Sequence, residues 1–455
     1  MLSLQWTHDA VLAALDAGTD GKAGPAVPYT GVSTDTRTIR PGALFVALSG
    51  ERFDGHAYLA QAAAAGAGGA VVRSGTPMVE GLRLYEVADT LRAYGDLARA
   101  RRRQLSGPVV AVTGSNGKTS TKEMLAAVLS TAYRTHATPA NDNNLVGIPQ
   151  TILAAPDDTE AMVIEAGANQ LGEIPRAREI IEPGVAVITN VSPSHLEGFG
   201  SLEAVMAEKL ALLDGVPLGV VGTEPAALAG RARQHARRVL VAGLAAADRI
   251  PERVSVDTDG HPTLSVDGQI IRLPLIGRHQ AANAMLAWTV VQELGLDRVR
   301  AAEALRHLVI PGGRGELRQF GRLTLLDDCY NSNPASFRAA IASAAAIRGG
   351  RRLVFVAGTM RELGERSAEL HGEIARALVE LNPDLLAVVG DFAAALAPYA
   401  PQLGDRLLTA PDPLTLGPLL RARLQGDEFV VLKASRGVAL ERIIPQLTGS
   451  APSQL

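Results

Sequence analysis

The scarcities of this chain narrow its chemistry first. It carries one cysteine, Cys329, in 455 residues, which excludes an internal disulfide and a cysteine-based metal site and suits a reducing compartment. Excess charge is missing too: 44 basic and 47 acidic residues leave a net charge of -3, so a nucleic acid would find no attracting field. The one dense basic run, Arg99-Ala100-Arg101-Arg102-Arg103, has no aromatic residues interleaved and reads as the solvated face of a helix. The longest uncharged run, Ala57 to Val72, is mostly Ala and Gly, too short and too weakly apolar to span a bilayer. Met1 to Trp6 shows no basic segment leading into an apolar one, so no signal peptide is expected. A cytoplasmic protein without membrane insertion or a nucleic-acid partner follows.

What is present is apolar and long. With 47% hydrophobic and 20% charged residues the chain can bury full cores, and its length calls for two to four domains, about three at roughly 150 residues each. The boundaries fall at residues 1–88, 89–311 and 312–455. In the first domain Thr7 can cap a helix from His8 to Ala17, Pro41-Gly42 marks a turn within the loop and strand of Thr30 to Leu48, and a helix over Ala57 to Ala65 precedes a strand at Ala70 to Val72. Asp89 opens an amphipathic connector helix, Leu91 to Leu105, that stops at Ser106-Gly107-Pro108.

From Val109 the texture changes to short apolar runs separated by helical segments: Val109–Val112, Ala161–Ile164, Val185–Ile188 and Leu218–Val221. That alternation predicts a mostly parallel sheet covered on both faces. Asp267-Gly268 between two alternating segments predicts an appended hairpin. A helix from Gln280 to Leu294, stopped by Gly295, closes this domain near Pro311. The last third repeats the pattern, with strands Leu323–Leu326, Leu353–Val356, Leu385–Val389 and Phe429–Leu432 and helices from Pro334, Ser367, Phe392 and Val438. The fold class is therefore α/β, with a central P-loop-type, mostly parallel sheet domain and a C-terminal Rossmann-like domain.

One segment carries chemistry by itself. The strand at Val109–Val112 runs into Thr113-Gly114-Ser115-Asn116-Gly117-Lys118-Thr119-Ser120, and a helix is expected over Thr121 to Leu129. Glycines let backbone amides turn toward an anion, the helix start adds partial positive charge, and Lys118 adds a full one. Thr119 or Ser120 can offer a hydroxyl to Mg2+. Val112 stands where the usual pattern has its first glycine, so the loop is tighter than a standard P-loop. The motif implies ATP and does not separate a kinase, an ATPase and a ligase.

Further segments, in order, resemble the Mur ligases, amino-acid-adding enzymes of peptidoglycan synthesis. They include Ser33-Thr34-Asp35-Thr36-Arg37, Pro41 to Phe45 and Asp54-Gly55-His56 in the first domain. In the central domain they are Gly114 to Lys122, Asn141-Asp142-Asn143-Asn144 with Gly147-Ile148-Pro149, Glu165 to Ala168, Gly172 to Ile174, His195 to Ser201 and Gly277 to Ala284. The third domain adds Asp327 to Ser336, Gly358 to Glu365 and Lys433-Ala434-Ser435-Arg436. Gln280 stands where the family usually has Asn, and Ala434 where it has Gly. Within the family the likeness is to the branch that joins D-alanyl-D-alanine to UDP-N-acetylmuramoyl-tripeptide. The Tyr330-Asn331 segment fits that branch, and the Asp-Asn-Pro-Arg motif of the diaminopimelate-adding branch is missing. That branch, which adds diaminopimelate or lysine, is the nearest alternative, followed by a nucleotide-binding scaffold without catalysis.

The resemblance implies an acyl-phosphate mechanism using ATP and Mg2+. It implies catalytic roles for Lys118, Glu165, His195, Lys209 and Arg314, with Thr119, Glu165, His195 and a carbamylated Lys209 as metal ligands. ATP would be held by Gly114 to Ser120, His279, Asn283, Arg314, Asp328, Tyr330 and Asn331. Ser33, Thr34, Asp35, Arg37, Asp54 and His56 would hold the UDP-sugar. Asn141, Asn143, Asn144, Lys433, Ser435 and Arg436 would complete the substrate-binding set. Arg314, beside Pro311-Gly312-Gly313, would swing onto the phosphates as the third domain closes. A monomer is expected, and ATP with UDP-tripeptide should compact it in small-angle scattering.

Overall fold

Short β-branched runs pleat into strands because their side chains pack on both faces of a sheet, and the first such sheet shows the rule directly. In this computed structural model, which describes residues 5–15, 27–50, 53–310 and 312–449, strands Val32–Ser33, Leu44–Val46, Gly69–Arg73 and Arg83–Val87 pair in parallel in that order. Leu44, Val46 and Val71 face one buried cluster with Tyr85, Tyr94 and Leu97, whereas Phe45, Ala47, Ala70 and Val72 face another. The alternation along each strand supplies both cores.

Compactness divides the chain into two units. The first holds residues 1–112, 133–168 and 172–186 and the second residues 113–132, 169–171 and 187–455. Besides the four-stranded sheet, the first unit holds strand Ala161–Glu165 between Val109–Thr113 and Thr135–Ala137, all parallel. Its long helix, Thr90–Arg102, is capped by the Asp89 carboxylate, which accepts from the amides of Leu91 and Arg92. The basic run at this helix end is not a solvated face. Arg101 is buried and donates to Ala155 O and Asp157, Arg102 donates to the carbonyls of Ile181 and Glu182, and Arg99 and Arg103 share the Glu182 carboxylate. Cations at a helix C-terminus also suit its dipole.

The second unit contains the parallel pair Leu218–Val221 and Arg238–Val241. It also contains an antiparallel ribbon of Arg253–Val256, Pro262–Val266 and Gln269–Arg272. Asp267 and Gly268 turn the hairpin at φ of 49° and 73°, the primed turn expected of that dipeptide. Helix Arg278–Glu293 ends as expected at Gly295, φ 65°, whose amide bonds Gln292 O while Leu296 N reaches Val291 O. The C-terminal sheet has six strands in the order Glu316–Phe320, Leu323–Asp328, Phe429–Lys433, Leu353–Ala357, Leu385–Val389 and Leu407–Ala410, with only the first antiparallel.

Several elements differ from the sequence reading. The strands Arg83–Val87, Glu316–Phe320 and Leu407–Ala410 and the helices Arg298–Arg306 and Pro413–Arg421 carry mixed or exposed patterns, and none was expected. No continuous helix starts at Val438. Ala439 takes a φ of 55° and splits the segment into short turns before Ile444–Thr448. The first helix is described over His8–Leu15, with Thr7 Oγ1 accepting from Ala10 N. Residues 16 and 17, and Pro311, lie outside the described residues. No helix among those described is long and apolar enough to cross a membrane.

Candidate active site

The five residues of Val109–Thr113 are all buried, and the chain then turns at Gly114, φ 149°, and Gly117, φ 77°. Both positions need glycine for space as well as angle. A Cβ on Gly114 would lie 1.9 Å from Thr189 Oγ1, and one on Gly117 would lie 2.7 Å from Asn283 Oδ1. The following helix is Lys118–Leu129, three residues earlier than expected, so Lys118, Thr119 and Ser120 occupy its first turn where the dipole favours an anion. Lys118 Nζ donates to Gly114 O at 2.9 Å, which folds the ammonium back over the loop.

A second loop, after the strand Val185–Ile188, braces the first. Asn190 O accepts from Ser115 N at 2.9 Å, Asn190 Oδ1 accepts from Asn116 N at 3.1 Å, and Thr189 Oγ1 donates to Asn116 O. Ser115 Oγ donates to Ser192 O at 2.9 Å, and Ser194 Oγ reaches Ser115 Oγ at 3.0 Å. Sequence reasoning missed Thr189, Asn190, Ser192 and Ser194. The signal was a polar run between a buried strand and His195. Asn116 is held from a third side by Asn333, whose Nδ2 donates to Asn116 Oδ1 at 2.8 Å. Asn283, against Gly117, is steadied in turn by Gln280, whose Oε1 accepts from Asn283 Nδ2 at 3.0 Å. The departure at position 280 thus supplies an anchor for its neighbour. His279 lies exposed in the same first helical turn.

Lys209 lies in the last turn of the helix Leu202–Leu210 and is 1% exposed. It is therefore not a surface lysine. Burial, and then the charge of Lys118, lower its pKa from 10.5 to about 7. His195 sits at φ 51°, ψ 34°, left-handed for a residue with a Cβ, and its Nδ1 lies 2.5 Å from Glu362 Oε2. The angles fall outside those of a straight hydrogen bond, so the contact is one of close approach. The His195 ring holds the Glu362 carboxyl below the usual range.

In the first unit, Glu165 closes the strand Ala161–Glu165 and is 1% exposed, with Oε1 accepting from Asn143 Nδ2 at 2.7 Å and its amide donating to Thr138 Oγ1. Asn143 therefore serves Glu165, and Asn144 Oδ1 is spent on the amides of Val146 and Gly147. Asn141 lies within the turn that leads to both residues, and its carbonyl accepts from Asn143 N at 2.7 Å.

In the N-terminal sheet, Asp35 is paired with Arg37 at 2.7 Å and its amide is held by Ser33 Oγ, while Thr34 bonds the buried Tyr94 hydroxyl. His56 Nδ1 contacts Asp54 Oδ1 at 2.6 Å, and Nε2 accepts from Arg73 N at 2.9 Å, which fixes the tautomer with its proton on Nδ1.

In the C-terminal domain the Arg314 guanidinium stacks 3.6 Å over the Tyr330 ring, and its buried Nε has no hydrogen-bond partner among the described residues. Lys433, 2% exposed, contacts Asp328 Oδ2 at 2.7 Å and donates to Asn331 O at 2.8 Å. Burial raises the Asp328 pKa against the opposing pull of Lys433. Asn331 Oδ1 accepts from Ser332 N, and Ser435 Oγ lies 3.0 Å from Ser332 Oγ and accepts from Arg361 N. Arg436 is mostly exposed and touches Glu441.

Three family descriptions match the chain in series: "Mur ligase family, catalytic domain" over residues 28–102, "Mur ligase middle domain" over 112–291 and "Mur ligase, glutamate ligase domain" over 313–436. The UDP-N-acetylmuramoyl-tripeptide–D-alanyl-D-alanine ligase of Escherichia coli is 36% identical over 438 residues, 93% of this chain and 95% of that protein. The crystal structure of MurF from Acinetobacter baumannii superposes with a TM-score of 0.89 at 29% identity, covering 98% of this chain and 99% of that one. The MurF ligase of Thermotoga maritima, solved in complex with ADP, gives a TM-score of 0.82 at 28% identity, covering 92% and 97%.

Proposed function

Because the chain belongs to the Mur ligase family along nearly its whole length, we propose that it joins D-alanyl-D-alanine to UDP-N-acetylmuramoyl-tripeptide at the expense of ATP. The products are the pentapeptide precursor of peptidoglycan, ADP and phosphate. The observation that carries this reading is the braced glycine loop with Lys118 folded over it, in a chain so similar to D-alanyl-D-alanine ligases.

A carboxylate acylates poorly because its oxygen would leave as a strongly basic anion. The tripeptide carboxylate therefore attacks the γ-phosphorus of ATP, ADP leaves, and the D-alanyl-D-alanine amine displaces phosphate from the acyl phosphate. Both steps build negative charge on oxygen, which fixed cations stabilise. Lys118 and the amides of Gly114 to Ser120 serve the phosphates, and the unpartnered Arg314 Nε is a donor available for the same task. Asn283, His279, Asp328, Tyr330 and Asn331 line the nucleotide side.

The buried Glu165 carboxylate and Thr119 hydroxyl are the hard oxygen donors that Mg2+ prefers. Mg2+ would be held by Thr119, Glu165 and His195, with Lys209 as a carbamate, and would supply charge neutralisation at the phosphate oxygens. A lysine held near neutral is nucleophilic enough to add CO2 at Nζ, which supports that role for Lys209. Ser33, Thr34, Asp35, Arg37, Asp54 and His56 take the UDP-sugar. Asn141, Asn143, Asn144, Lys433, Ser435 and Arg436 serve the peptide substrates, with Asn143 acting through Glu165.

The domains are residues 1–88, 89–311 and 312–455, the protein works as a monomer, and its place is the cytoplasm, where UDP-linked precursors and ATP are found together. Phosphate release from ATP, with UDP-tripeptide and D-alanyl-D-alanine each omitted in turn, tests the reading. Release only when both are present supports it, and release with diaminopimelate or lysine on a UDP-dipeptide instead would replace it.

A further inference from the structure

The loop His195–Gly200 and the loop Gly358–Gly364 of the C-terminal sheet meet through more than one contact. His195 Nδ1 lies 2.5 Å from Glu362 Oε2, Glu197 N reaches Glu362 O at 3.3 Å, and the face of Gly364 rests on the Glu197 backbone. Both partners sit in the left-handed region, at φ 51° and 64°. Such backbone is unfavourable for a residue with a Cβ, and it persists only where surroundings enforce it, commonly at functional sites.

The loop carrying Glu362 is itself pinned. Gly358 N bonds Lys433 O, Met360 N bonds Nε2 of the buried His371, and Arg361 N bonds Ser435 Oγ. Glu362 is thus presented from a fixed base to a histidine on a strained turn.

We propose that Glu362 is a positioning residue that fixes the ring orientation and tautomer of His195. A carboxylate oxygen this close to Nδ1 requires the proton to sit there, because two lone pairs would otherwise face each other. That leaves the Nε2 lone pair as the one the ring can offer to a metal ion or a phosphate-bound group. A ligating histidine is commonly held in this way by a carboxylate on its other nitrogen. The C-terminal domain thereby sets the histidine of the central domain, and the competent ring exists only while the two loops are docked. This deepens the ligase reading and rests on it.

The test compares the full chain with Glu362→Ala and Glu362→Gln, using nitrogen NMR of labelled histidine with His195→Asn to assign the signal. The Nδ1-protonated ring is expected in the parent protein, a shift toward the Nε2-protonated form in Glu362→Ala, and restoration in Glu362→Gln, whose amide oxygen still accepts. Turnover should fall about 10- to 100-fold in the alanine variant, with the KM for ATP little changed and partial rescue by glutamine. An unchanged His195 spectrum in Glu362→Ala overturns the proposal, as does equal loss of kcat in both variants without a tautomer change. The NMR readout needs no turnover, so failure of the ligase reading itself would show separately, as a parent protein inactive on its substrates.

Discussion

Asn333 donates from Nδ2 to Asn116 Oδ1 at 2.8 Å while its own Oδ1 accepts from Ser336 N at 2.9 Å. One amide group therefore starts the helix Pro334–Ile347 and steadies the glycine loop. Aspartate is as good a cap as asparagine but has no amide donor. Asn333→Asp should melt close to the parent protein while binding ATP about 3- to 10-fold more weakly, the worth of one ordinary hydrogen bond. Asn333→Ala should lose stability as well, by about 0.5–2 kcal/mol. Calorimetry for melting and for ATP titration separates the two effects.

Gly114→Ala puts a methyl group where Thr189 Oγ1 stands, and backbone cannot yield there without moving the amides of the loop. The variant should fold, because the clash is local, yet lose ATP binding by more than about tenfold. Equilibrium dialysis checks it. Undiminished ATP binding would mean that the loop has slack that the geometry denies.

Lys209 makes stability depend on pH in a definite direction. Unfolded, its amine keeps its proton up to about 10.5, and folded it gives the proton up near 7. Between these values the unfolded chain binds more protons, so this group raises stability as pH rises, and its full penalty is felt below 7. In CO2-free buffer Lys209→Met should be more stable than the parent protein at pH 6.5, and the gap should narrow by pH 9.5. Urea unfolding at both values measures it.

Isotope-labelled bicarbonate should give the parent protein one carbamate carbon signal that disappears in Lys209→Arg, since guanidinium stays protonated. A signal that survives the substitution would place the modification on another lysine.

Arg314→Ala removes a donor whose buried Nε has no hydrogen-bond partner among the described residues. Loss of one fixed donor from developing phosphate charge typically costs about 100- to 1000-fold in kcat. Single-turnover kinetics should show that loss with the fold intact, because the Tyr330 ring that Arg314 covers keeps its own backbone bond to Gly313 O.

Much of the fold was legible because buried parallel strands are written as unbroken apolar runs. Val185–Ile188, Leu218–Val221 and Leu385–Val389 came out at the expected bounds. The edge strands Glu316–Phe320 and Leu407–Ala410 were not, since partial exposure mixes charged and polar residues into them and erases the signal.

At the site, the glycine loop and Lys118 could be read from local spacing alone. What could not be read were groups brought in from afar: the brace of Thr189, Asn190 and Ser192, the Asn333 clasp and the Glu362 contact. Their partners are 73 or more positions away in sequence. The bonds of Asn143 to the Glu165 carboxylate and of Asn144 to a helix start were not legible either, because a side-chain amide in such service looks like any other in a sequence.

Activation of the acid by phosphoryl transfer is the step on which everything else depends. UDP-tripeptide carrying heavy oxygen in its terminal carboxylate should, on reaction with ATP and D-alanyl-D-alanine, release phosphate that bears one heavy oxygen atom, read by mass spectrometry. Released phosphate without the label would mean that the carboxylate oxygen never reached phosphorus, and the acyl-phosphate account of this site would be wrong.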